Sequence, residues 1–149
     1  MKKAIDPLTL PPRSSSTYPE PFRSLVLPRE KRALGDAFGL SKIGVNLTTL
    51  MPGKQSAMRH WHTKEDELVY LLEGEVVLIT DAGEQVVTAG MCVGYPAGTK
   101  NAHHFVNRST QPARYLEISN RDEDDVVEYP DIDLRYVKPT FTHKDGKGY

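Results

Sequence analysis

Short runs rich in β-branched and aromatic residues recur between residues 43 and 119, each closed by a cluster of turn formers. The runs cover 43–50, 57–62, 67–72, 75–80, 85–88, 91–95, 103–106 and 113–119. Between them stand Met51-Pro52-Gly53, Glu73-Gly74, Asp81-Ala82-Gly83, Ala89-Gly90, Pro96-Ala97-Gly98 and the segment 108–112. Short strands with Gly and Pro punctuation predict an all-β sandwich or barrel rather than βαβ units. No segment holds an apolar period long enough for a helix of three turns, so a helix-turn-helix is not expected. No internal repeat is visible.

The flanks read differently. Residues 10–21 carry too many prolines and serines for a helix or a full strand ladder. They form either a disordered tail or an arm on the barrel or on a partner, with Tyr18, Phe22, Leu25, Val26 and Leu27 as apolar anchors. Residues 122–133 hold seven acidic side chains and read as a solvated loop. A calcium loop would want a central glycine there, and none is present. The glycine-rich end, 141–149, either frays or closes over the barrel mouth. The expected organisation is an extended arm over 1–32, a barrel core over 33–121, and an acidic loop with a C-terminal tail packing on the barrel over 122–149.

Composition narrows the function classes. A chain of 149 residues suits one domain with one core. Its formal charge of -1 provides no global field for nucleic acid or an anionic membrane. No apolar run nears the ~20 residues of a membrane span, and the start lacks the apolar segment of a secretory signal. A cytoplasmic location is expected. The single cysteine, Cys92, excludes an intrachain disulfide framework and a thiolate zinc cluster, and reads as a small core residue.

The chemistry concentrates in Arg59-His60-Trp61-His62-Thr63-Lys64-Glu65-Asp66-Glu67. Strand alternation puts His60 and His62 on one face, with Trp61 on the other. Two imidazoles side by side on an inner face point to a divalent metal. The turn at 63–66 returns the chain so that Glu67 comes beside the pair, while Glu65 reads as solvated turn. In Asn101-Ala102-His103-His104-Phe105-Val106-Asn107, alternation groups His103, Phe105 and Asn107 on one face, favouring His103 over His104 as third nitrogen ligand.

These segments resemble the two motifs of the cupin superfamily. His60-Trp61-His62, four residues, Glu67, six residues and Gly74 match the first from the histidines onward, with Gly53 one place early. Gly90, Pro96 and Gly98 match the second. Its histidine position is Asn101, while His103 lies two residues later and keeps the three-residue spacing to Asn107. The resemblance implies a single jelly-roll, or double-stranded β-helix, barrel. It implies one divalent ion (Fe, Mn, Zn or Ni) on His60, His62, Glu67 and His103, and a homodimer.

A barrel of this family specifies a site, not a reaction. A Gln-x-His pattern, as in phosphomannose isomerases, is absent. Metal-free sugar epimerases of this fold would not need Glu67 beside two histidines. The expectation is a metal-dependent enzyme acting on a keto acid, enediol or sugar-like molecule by dioxygenase, isomerase or lyase-type chemistry. The alternative is a non-enzymatic small-molecule binder or sensor with a bound metal. An acid–base group beyond the ligands would separate the two. Tyr70, Tyr95, Arg114 and Glu117 are candidates that the sequence does not place.

Overall fold

Strand β2 (Ile43–Leu50) pairs along its whole length with β9 (Ala113–Asn120), and that ladder is the spine of the larger sheet. The computed structural model describes residues 3–149. β1 (Arg29–Ala33) flanks β2, while β4 (Glu67–Glu73) and β7 (Cys92–Tyr95) extend the far side of β9, giving the antiparallel order β1-β2-β9-β4-β7. Facing it are two smaller antiparallel sheets. One is β6-β5-β8, from β5 (Glu75–Thr80), β6 (Gly83–Thr88) and β8 (His104–Val106). The other is β12-β11-β10-β3, from β3 (Trp61–His62), β10 (Val126–Glu128), β11 (Arg135–Val137) and β12 (Thr140–Thr142).

A bridge between His60 and His103 joins these two sheets, His60 N–H donating to the His103 carbonyl at 3.1 Å and the reverse at 2.8 Å. The result is the jelly-roll barrel. Among the described residues, two short α-helices, α1 (Phe22–Val26) and α2 (Leu34–Phe38), and a single 3₁₀ turn over Pro7–Thr9 complete it. Among the described residues no helix is long and apolar enough to cross a membrane.

Alternation sorts each strand of the large sheet. Leu71 on β4, Ala113 and Tyr115 on β9 and Leu50 on β2 point inward and are almost wholly buried. They pack with Val76, Leu78, Val87 and Phe105 from the smaller sheet. A second cluster gathers Tyr18, Val26, Met58, Val127, Tyr129 and Leu134. A cavity of about 290 Å³ lies between them, walled by Val69 and Phe105 on one side and Tyr18, Val127 and Tyr129 on the other.

Two segments depart from the sequence reading. Residues 29–32, grouped with the arm, pair with β2 as part of the main sheet. Their run Arg-Glu-Lys-Arg has no apolar alternation because its inward side chains, Arg29 and Lys31, line the cavity. The acidic segment contains β10, and its Asp125 is 1% exposed. The arm itself lies on its own barrel, where Tyr18 and Val26 are buried and Arg13 bridges Lys31. Leu25, expected as an anchor, stays exposed.

Candidate metal centre

His60 enters from the bridge to His103, His62 from β3, Glu67 from the first position of β4, and His103 from the residue before β8. Their side chains converge in the cavity. Ligand atoms of His60, His62 and Glu67 lie within 4.8 Å of one another. The Glu67 carboxylate is the hub, with His103 Nε2 at 3.0 Å, His62 Nε2 at 3.6 Å and His60 Nε2 at 3.9 Å. The ring centroids of His60 and His103 are 4.9 Å apart, and those of His60 and His62 5.2 Å. His104 turns the other way, its Nδ1 bonding to the Ala57 carbonyl at 3.0 Å.

A family model of the cupin domain matches residues 46–119. A sugar phosphate isomerase of a cupin superfamily from Silicibacter pomeroyi is 38% identical, with a TM-score of 0.92 over 99% of this chain and 96% of that one. This chain belongs to the cupin superfamily. A putative sugar phosphate isomerase from Acidithiobacillus ferrooxidans is 34% identical to this cupin, with a TM-score of 0.71 over 76% of this chain and 74% of that one. A polyketide cyclase from Streptomyces resistomycificus, 19% identical, shares the fold with a TM-score of 0.69 over 97% of this chain and 86% of that one. Among curated proteins none matches.

The cupin's imidazoles are oriented from behind. His60 Nδ1 lies 2.8 Å from the Met58 carbonyl, an obligate acceptor, so the proton sits on Nδ1 and the Nε2 lone pair faces the cluster. His62 Nδ1 likewise donates to Asp125 Oδ2 at 2.6 Å. His103 stacks flat on Tyr95, centroids 3.4 Å apart, and its buried Nδ1 has no partner, so Nε2 is the nitrogen that serves the cluster. Burial pushes the His60 pKa down to about 3, which keeps it neutral. Burial would raise Glu67, but the His103 hydrogen bond and the neighbouring imidazoles outweigh it and hold the pKa at about 2. A neutral His60 and an ionised Glu67 are in the protonation states a divalent ion requires of such ligands, and the Nε2 atoms of His62 and His103 face the same point, so the donor set fits one.

Asp125 is the residue that sequence reading missed. Burial opposes its charge, yet the Lys64 backbone N–H at 2.8 Å and the His62 bond hold its pKa below the ordinary range. Glu65, expected in solvent, is buried too; it accepts from Lys138 Nζ at 2.7 Å and from the Asp122 N–H at 3.0 Å. Both corrections have one cause. The C-terminal segment folds over the 63–66 turn and supplies partners that lie some 60 residues away along the chain.

Of the four acid–base candidates, only Glu117 lines this cavity. The β4–β9 register sets Glu67 opposite Ser119 and Val69 opposite Glu117, which places both carboxylates on the inner face one pleat apart. Tyr70 is exposed, and Arg114 pairs with Glu73 at 2.9 Å on the outer face. Tyr95 supports His103. Cys92 is exposed rather than core, because it pairs with Tyr70 and shares its outward orientation. Asn107, fully buried, donates to the carbonyls of Leu50 and Gln111 and fastens the end of β8. Asn101, at the motif's histidine position, is exposed and accepts from the Asp81 N–H at 3.1 Å.

Proposed function

We propose that this cupin is a metal-dependent isomerase that moves a proton between adjacent carbons of a small, phosphorylated sugar-like carbonyl compound. One observation carries the reading: Glu117 shares the cavity with His60, His62, Glu67 and His103 without belonging to their cluster. Two relatives above 30% identity, one named a sugar phosphate isomerase and the other a putative one, favour the same chemistry.

His60, His62, Glu67 and His103 would hold the ion. When bound, a divalent metal supplies Lewis acidity to neighbouring substrate oxygens. The Glu117 carboxylate removes the proton from the carbon beside the carbonyl and returns it to the former carbonyl carbon, while the hydroxyl proton passes to the former carbonyl oxygen, so the step needs no oxidant or reductant. Lys31 Nζ, 2.7 Å from Glu117 Oε2, holds the carboxylate in the cavity. The hydroxyls of Tyr18 and Tyr129, 3.2 Å apart, line the opposite wall. Burial raises both phenol pKa values, so they remain protonated and can donate to substrate hydroxyls.

The test is proton exchange. The metal-loaded protein is incubated with phosphorylated aldoses in D₂O, and deuterium at the carbon beside the carbonyl is followed by NMR. Glu117→Gln should slow exchange by about 10²–10⁴-fold with unchanged metal content. Substrate binding without exchange in the unaltered protein would assign the binder or sensor reading instead.

A further inference from the structure

Among the described charged residues that line the cavity, Arg29 is the one to which the proposed reaction gives no task. It reaches the inner face through the β1–β2 register, in which Arg29 pairs with Leu50 and Lys31 with Thr48. Lys31 is neutralised by Glu117. Arg29 forms no ion pair with a carboxylate among the described residues. Its Nη1 donates to the neutral Ser56 carbonyl, and its buried Nε has no partner.

Two more unpartnered polar groups lie on the same inner face of the sheet, one pleat along from Arg29. Thr48, 0% exposed, is the register partner of Lys31, and its Oγ1 bonds to nothing in the protein. Tyr115, 1% exposed, is the register partner of Thr48, and its hydroxyl is unpaired too. Unsatisfied buried donors are costly, and an uncompensated cation among them is costlier. The complement of such a cluster is an anionic group with several acceptor oxygens.

We infer that Arg29, flanked by Lys31, is the subsite that receives the anionic oxygens of the substrate, a phosphate or a carboxylate, within the metal-ligand cavity. The inference rests on the reading of that cavity as the substrate site. Formal charge agrees: with a divalent ion bound, that ion, Glu67, Glu117, Lys31 and Arg29 would sum to about +2, which favours an anionic ligand over a neutral one. The cavity, at about 290 Å³, has the size for a single small metabolite.

Calorimetry on the metal-free full chain tests the subsite with three matched probes: glycerol 3-phosphate, glycerate and glycerol. At least one anion should bind tenfold or more tightly than glycerol, and Arg29→Gln should erase that preference. Selectivity for glycerol 3-phosphate assigns a phosphomonoester, and selectivity for glycerate a carboxylate. Equal binding of all three probes, or an anion preference within twofold of the original in Arg29→Gln, overturns the inference. Should Arg29→Gln fail to fold, Arg29→Lys decides. It keeps the charge but loses the planar fork, so anion affinity should fall about tenfold; unchanged affinity overturns the subsite. Because no metal and no turnover are involved, an anion preference without proton exchange keeps the subsite and removes the isomerase reading. Exchange without an anion preference does the reverse.

Discussion

His62 and Asp125 are joined by a 2.6 Å hydrogen bond between residues 63 positions apart in the chain. That bond decides which nitrogen of His62 faces Glu67 and ties β3 to the C-terminal segment. Asp125→Ala should therefore weaken divalent-metal binding by about 10–100-fold although Asp125 touches no metal position. Competition against a chromophoric chelator measures it, with circular dichroism as a check on the fold.

The proposed four-ligand site makes a sharp contrast between neighbours. His60→Ala, Glu67→Ala and His103→Ala should each lose most bound metal, whereas His104→Ala should keep it, because His104 bonds to the Ala57 carbonyl. Metal analysis of the purified variants reads the result. Full retention of metal in His103→Ala with loss in His104→Ala would reverse the assignment.

Gly74 and Gly53 separate backbone strain from collision. Both have positive φ, +77° and +74°, but a Cβ on Gly74 would lie 2.9 Å from the Pro112 carbonyl oxygen, while on Gly53 it meets nothing within 4 Å. Gly53→Ala should cost about 1 kcal/mol from backbone conformation alone. Gly74→Ala should cost more, up to about 3 kcal/mol. Urea denaturation of the two variants side by side gives the difference.

We propose that the outer face of the large sheet pairs two copies of the chain. Ile43, Leu68, Tyr70 and Leu72 are each roughly two-fifths exposed there. An open groove of about 510 Å³, lined in part by Ile43, Leu68 and Ile118, runs along the same face. A second copy is the occupant that fits, because two antiparallel sheet faces of the same twist stack with matched apolar rows. Light scattering should give a dimer, and Leu68→Asp with Tyr70→Asp a folded monomer. The arm plays a different part. Deleting residues 1–28 should lower the melting temperature, since it removes the buried Tyr18 and Val26.

Local order along the chain determined much of this protein. Turn residues between β-branched runs marked the strands of the barrel, and two-residue alternation put His60, His62 and Glu67 on a common face. The same parity brought His103 rather than His104 to Glu67, past a loop two residues longer than the family pattern. Such signals are legible because strand periodicity and motif spacing act within a few residues of one another.

Only the tertiary structure decided what stands behind and beside those ligands. β1 reads as a charged segment because its inner side chains face a polar cavity rather than an apolar core, so it has no hydrophobic alternation to detect. β10, β11 and β12 are three residues each, too short to show a period. Asp125 is one carboxylate in an acidic run, and nothing in its neighbours distinguishes it from those in solvent. Its burial against His62, like the meeting of Glu117 with Lys31 and the isolation of Arg29, depends on strand register across the closed barrel. Register is set by contacts between residues far apart in sequence, and single-chain patterns do not record it.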